Sequence, residues 1–335
     1  MTSPAGLERG VVVARPPDEL YLEVTNRCNL RCTTCPQSWG MSEDFADLSI
    51  ERVNFVLGQL PEVRRVVLHG IGEPTLNPAL PHIIRAVKAR GAYALFNTNG
   101  LLLRRRLLEA LVLSGLDEVR VSVDAATPET YRLVRGADGF SRIVANVKLL
   151  AATKARLGVA TPRLSLWMTG MKTNIAELSA LVRVASEAGI AEVYLQRLVY
   201  SGRGRAQDTE ALYGRLDERE HSSLRQAQQL AIELGITLRG SSEALPDVAK
   251  AEKAAAWRAC RRPWSLVYIT ANGNVLPCCI APFTEAPYAG LVLGNAFRET
   301  LEEIWNGPLY RRWRERMLAG EPPPACANCG SAWAL

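Results

Sequence analysis

The chain has 335 residues, 48% of them in the apolar set AVILMFWYC and 22% charged, which is the balance of a folded globular protein with a full core. That apolar fraction excludes intrinsic disorder, and the absence of a short repeat excludes a fibrous chain. The net charge of +6, from 40 Lys+Arg against 34 Asp+Glu, is too even to argue for a nucleic-acid partner. The arginine clusters at 104–106 and 311–314 read as solvated helix faces.

Residues 1–25 carry no basic segment followed by an apolar run, so no signal peptide is expected. The longest uncharged stretch, Pro263 to Thr284, is interrupted by Asn, Gly and Pro and does not span a membrane. These features predict a cytoplasmic protein.

Taken in order, short apolar runs alternate with longer amphipathic ones. Strands are expected at Leu20–Thr25, Val63–His69, Ala92–Thr98, Glu118–Asp124, Arg163–Met168 and Glu192–Leu198. Helices are expected at Ser49–Leu60 (opened by a serine cap), Pro81–Arg90, Leu103–Ser114, Phe140–Leu157 and Ile175–Ala188. Six strand–helix alternations imply a parallel sheet, open or curled into a partial barrel. A loop at 201–208, a helix at Arg219–Leu234 and a strand at Ile236–Arg239 follow. The polar, Ala-rich stretch Ser241–Ala256 reads as a linker, which sets a domain boundary near residue 245. Beyond it, residues 265–279 have two strand-like halves around Ala271-Asn272-Gly273-Asn274, a β-hairpin pattern. Helices at Thr300–Trp305 and Leu309–Leu318 precede a turn-rich segment, EPPPACANCG, at 321–330.

The eight cysteines fall into two groups, Cys28, Cys32 and Cys35, then Cys260, Cys278, Cys279, Cys326 and Cys329, with none at positions 36–259. A cytosolic chain of this size needs no disulfides, so such clustering reads as metal ligation. Three thiols spaced C-x3-C-x2-C on a loop after the first strand can hold an iron–sulfur cubane and leave one iron open. Zinc is the alternative, with His69 the nearest possible fourth ligand.

The segment CNLRCTTCP resembles the cluster motif of the radical S-adenosylmethionine (SAM) enzymes. The resemblance implies that SAM chelates the open iron and is cleaved reductively to a 5′-deoxyadenosyl radical, which abstracts a substrate hydrogen. Thr34 stands where many members carry an aromatic residue. Gly70-Ile71-Gly72-Glu73-Pro74 resembles the family's GGEP motif, with Gly72, Glu73 and Pro74 matching, and implies contact with the methionyl amino group. Asn97-Thr98-Asn99-Gly100 resembles the TNG signature, adding Asn99. Ser122 and Arg135 match a serine and an arginine that bind the SAM ribose or carboxylate. Gln196 and Asn174 also point to the rim. All of these lie at carboxyl ends of expected strands, where loops converge in parallel α/β folds.

At the other end, Cys260 and Cys278 with Gly273 between them, followed by Cys326 and Cys329, resemble the auxiliary-cluster domains of the SPASM/twitch group. With no further cysteine before Leu335, the short twitch form of 2-deoxy-scyllo-inosamine dehydrogenase-like enzymes fits. A zinc ribbon is the plainer alternative. Cys279 is then spare: a buried small residue, a replacement ligand for Cys278, or a hydrogen donor to a substrate radical.

The fold class expected is α/β, a partial (β/α)6 barrel over 1–245 with a small α+β domain over 246–335. The cofactors expected are SAM and two [4Fe–4S] clusters, one binding SAM and one auxiliary. A fully ligated auxiliary cluster suits an electron acceptor. The expected reaction is therefore oxidation of a hydroxylated small molecule such as a sugar or cyclitol, served by an external reductant such as a flavodoxin or ferredoxin. The alternatives are maturation of a ribosomal peptide, disfavoured here by the short segment before the first strand, a redox-neutral epimerase using Cys279, and a zinc-binding interaction protein.

Overall fold

Strand β1 (Glu19–Leu22) opens a parallel series continued by β2 (Arg65–Val67), β3 (Tyr93–Thr98), β4 (Glu118–Ser122), β5 (Arg163–Gly170), β6 (Glu192–Arg197) and β7 (Thr237–Gly240). The structure is a computed structural model that describes residues 9–199, 201–212, 215–240, 257–258, 260–327 and 329. Helices α1 (Ile50–Gly58), α2 (Leu80–Ala89), α3 (Arg105–Leu113), α4 (Pro128–Arg135), α5 (Phe140–Leu157), α6 (Leu178–Glu187) and α7 (Glu218–Glu233) fill the connections. Such strand–helix–strand crossovers are what parallel pairing requires. The result is the expected partial barrel, with a seventh parallel strand at its edge.

Side-chain alternation explains how the barrel is built. Leu20, Val66, Phe96, Val119, Leu166 and Val193 face one side and are fully buried. The opposite side is polar and pairs with itself. Arg120 Nε donates to Glu118 Oε1 at 2.8 Å, Tyr93 Oη donates to Glu118 Oε2 at 3.0 Å and Arg163 bridges to Glu118. Trp167 stacks on Tyr194 with ring centroids 4.1 Å apart, and Arg120 lies over Trp167. An apolar outer face and a polar inner face follow from the two-residue period of a strand.

The carboxyl-terminal segment joins the same sheet. After α8 (Arg262–Ser265), β8 (Leu266–Ile269) runs parallel to β1, and β9 (Asn274–Leu276) returns antiparallel as the expected hairpin, with β10 (Gly294–Asn295) on its edge. The order is β10-β9-β8-β1-β2-β3-β4-β5-β6-β7. Helices α9 (Leu301–Trp305), α10 (Pro308–Ala319) and α11 (Pro324–Ala327) complete it. The expected linker at 241–256 lies outside the described residues.

Two expectations need correction. Helix α4 was not among the expected elements, although Thr127 caps its Thr130 N–H, Pro128 opens it and Gly136 closes it at φ 73°. In the 311–314 cluster, Arg311 and Arg312 are exposed as expected, but Arg314 is fully buried. Its guanidinium stacks over Trp305 and Tyr310 and donates to the carbonyls of Pro263 and Val11. No helix among the described residues is long and apolar enough to cross a membrane.

Candidate active site

The loop after β1 is shaped by its own polar side chains. Gln37 is buried and donates from Nε2 to the Asn26 carbonyl at 2.8 Å, while Asn26 bonds both Asp44 O and Ala46 N. Ser38 Oγ donates to Cys32 O at 2.7 Å and Cys35 N to the same carbonyl at 3.1 Å. Thr33 N is fixed to Val134 O in α4 at 2.9 Å, and Arg205 N from the 201–212 loop reaches Thr33 O at 2.9 Å. Gly204 has φ +51°, and a Cβ there would strike Thr33 O and the Trp39 ring. The loop between β6 and α7 therefore packs directly on the cysteine loop.

These bonds bring Cys28, Cys32 and Cys35 into one another's electrostatic field. Burial raises the pKa of all three thiols, and Cys35 is pushed up to about 12. Three half-buried thiols that disfavour one another's ionisation gain from a ligand that takes the thiolate form. A bound cationic cluster reverses that balance, because metal binding takes the thiolate form.

The GIGEP segment is tied to both neighbours. A Cβ on Gly72 would strike the carbonyls of Thr25 and Arg27, so only glycine allows this approach to the cysteine loop. Glu73 is buried. Its Oε1 accepts from Thr75 N (3.1 Å), Thr75 Oγ1 (2.6 Å) and Thr98 Oγ1 (2.7 Å), and its Oε2 from Asn99 N (2.7 Å). Pro74 opens the single turn that follows. Asn99 Nδ2 donates to Asn29 Oδ1 at 2.8 Å, inside the cysteine motif. Glu73 thus joins three expected site segments into one rigid unit.

Arg135 comes from the end of α4 and is buried beside the cysteines. Its Nη1 bridges to Asp124 Oδ2 at 2.8 Å, while its Nε has no hydrogen-bond partner. Burial opposes its charge, but Cys32 and Asp124 override that and raise the pKa above the usual arginine value. Asp124, which sequence reasoning left out, sits at φ 60° and accepts Thr169 N on Oδ1 at 2.6 Å. Asn174 is fully buried and donates to Asp124 O and Thr169 O at 2.9 Å each, so it clamps the ends of β4 and β5 instead of facing the rim. Ser122 and Gln196 are half-buried on this edge, level with Trp167 and Thr169 respectively. His69 has Arg120 as its electrostatic neighbour; burial, then that charge, pushes its pKa down to about 4.

Four of the five carboxyl-terminal cysteines, Cys260, Cys278, Cys326 and Cys329, line one cavity, walled also by Arg262 and Trp313. Burial pushes the Cys329 thiol up to about 12 and Cys326 higher still, each reinforced by the neighbouring thiols. Among the described residues no group of three or more His, Cys, Asp or Glu is arranged to hold a single metal ion. Four thiols facing one cavity are the donor set of an iron–sulfur cluster, and the unpartnered Arg135 Nε beside three thiols fits an anionic cofactor group. Cys279 does not line the cavity. It is buried against Tyr21 and Arg262, and burial pushes it up to about 11.

Two cysteine sites on one partial barrel define the class. Residues 22–161 match the family model described as Radical SAM superfamily, and residues 260–330 match SPASM, an iron-sulfur cluster-binding domain. The chain is a radical SAM enzyme carrying a SPASM domain, with SAM and [4Fe–4S] clusters as its cofactors. It is 28% identical to the PqqA peptide cyclase of Gluconobacter oxydans over 95% of this chain and 85% of that one. It is 28% identical to the mycofactocin maturase MftC of Mycobacterium ulcerans over 93% and 79% respectively. Among solved structures, SuiB of Streptococcus suis bound to S-adenosylmethionine superposes with a TM-score of 0.65 at 19% identity, covering 89% of this chain and 68% of that one.

Proposed function

We propose that the chain modifies a peptide by radical chemistry. The observation that carries this reading is the likeness to a peptide cyclase and a mycofactocin maturase along more than nine-tenths of the chain. Oxidation of a sugar or cyclitol, the expectation drawn from the sequence, rested on a fully ligated auxiliary cluster. That feature serves peptide oxidation equally well, so it does not separate the two.

In this reading Cys28, Cys32 and Cys35 hold the SAM-binding cluster, and Cys260, Cys278, Cys326 and Cys329 hold the auxiliary one. Bound cofactors supply the one-electron chemistry that removes a substrate hydrogen. Gly72, Pro74, Asn99, Ser122 and Gln196 line the SAM site, with Glu73 acting as the tie that fixes Asn99 against the cysteine loop. Arg135 offers its free Nε to a cofactor carboxylate, the pairing its fork geometry suits. The unit 1–245 carries hydrogen abstraction, 246–335 carries electron transfer, and a flavodoxin or ferredoxin supplies the reducing electron.

The test is anaerobic incubation of the iron-loaded protein with SAM, reductant and a library of short synthetic peptides, with sugars and cyclitols in parallel. A SAM-dependent mass change in a peptide supports the reading. A polyol consumed while every peptide is unchanged overturns it.

A further inference from the structure

We infer that Arg262 is a positioning residue for electron transfer, whose buried charge holds the auxiliary cluster in a readily reducible state. The inference rests on the reading of Cys260, Cys278, Cys326 and Cys329 as ligands of one cluster. Arg262 opens α8 two residues after Cys260, and it walls the same cavity as all four thiols. Its Nη1 is shielded from solvent.

The physical consequence has a definite sign. A cubane held by four thiolates is anionic, and one-electron reduction adds a further negative charge. A fixed cation in a poorly solvated wall stabilises the reduced state more than the oxidised one, and net charge near a cluster is one of the levers that set its potential. An arginine cannot escape the burden by losing its proton, so the bias persists at every working pH. A cluster biased in this way accepts an electron from a substrate radical more readily, which is the direction an oxidising radical enzyme needs.

The test uses the full-length chain with Cys28, Cys32 and Cys35 changed to alanine, so that only the auxiliary cluster contributes signal. Potentiometric titration followed by electron paramagnetic resonance gives its midpoint. At the parent's midpoint, Arg262→Gln should lower the reduced-to-oxidised ratio about tenfold, a midpoint about 59 mV more negative for one electron. Arg262→Lys should keep the ratio within threefold. Arg262→Met repeats the neutral substitution should the glutamine variant load fewer irons than its parent. A neutral variant with a full iron complement and an unmoved midpoint overturns this inference alone. A parent chain that assembles no iron–sulfur cluster overturns the ligand reading and this inference together.

Discussion

Replacing Arg135 by alanine strands a buried carboxylate, and the cost follows from the pair's geometry. Nη1 and Asp124 Oδ2 are 2.8 Å apart, and the two side chains are 11% and 4% exposed. At an effective dielectric of about 20 the mutual attraction is roughly 6 kcal/mol, offset by desolvation of both groups. Asp124 cannot swing out to solvent, because Thr169 N and Asn174 hold its side chain and its carbonyl. Arg135→Ala should therefore destabilise the protein by about 3–5 kcal/mol, the range for breaking a buried pair from one side. Arg135→Ala combined with Asp124→Ala should cost less than the sum of the singles, since no charge is then left unpaired. Cys32 should also be harder to ionise without the cation, so iron uptake should slow. Urea unfolding followed by circular dichroism, with iron loading measured in parallel, gives both quantities. A single variant within 1 kcal/mol of wild type, with additive double-mutant energies, refutes a coupled buried pair.

Further outcomes follow from other buried groups. Burial, opposed by the Ala271 and Ile71 amides, raises Glu23 to about 7, so its native form binds more protons between pH 4.5 and 7 and stability falls as pH rises through that window. His69, depressed to about 4, works in the opposite sense between pH 4 and 6.5, where the unfolded chain binds the extra proton. Each term is roughly 3 kcal/mol and they largely cancel; urea midpoints of His69→Leu should therefore fall with pH between 4.5 and 7, and a profile parallel to wild type would contradict the two shifts. Glu73→Gln presents an amide donor to a site ringed by donors and should cost about 1–3 kcal/mol in unfolding free energy; an unchanged melting curve would remove its role as the tie. Cys279→Ala should retain product formation, with no solvent deuterium in the product carbon skeleton, because the thiol is buried against Tyr21; deuterium incorporation lost in the variant would reinstate it as a hydrogen donor.

Local patterning carried most of the fold. Six barrel strands were legible from short apolar runs flanked by amphipathic ones, and Phe140–Leu157 matches its helix end for end. Helix α4 had its signals on view in Thr127, Pro128 and Gly136. The pairing of β8 with β1 joins residues 266 and 19, and no local pattern encodes so distant a register. Burial of charge was equally hidden. Composition cannot distinguish Arg314, stacked on two aromatic rings, from its exposed neighbours Arg311 and Arg312.

The cysteines of the candidate site were legible because their chemistry demands a fixed residue type at a short spacing. The residues that hold them were less so. Asp124, Asn174 and Gln37 act through hydrogen bonds to backbone groups on other segments, a role many polar residues could fill. Glu73 was legible as a motif residue, but the four hydrogen bonds by which it also ties its neighbours together were not.

The most direct measurement is iron and acid-labile sulfide content after anaerobic reconstitution, with Mössbauer and paramagnetic resonance spectra taken with and without SAM. The expected result is about eight irons and eight sulfides per chain in two cubanes, only one of which changes its spectrum when SAM binds. Alanine at Cys28, Cys32 and Cys35 should remove the SAM-sensitive half, and alanine at Cys260, Cys278, Cys326 and Cys329 the other. A protein that takes up two zinc ions and no iron would contradict both cysteine sites at once.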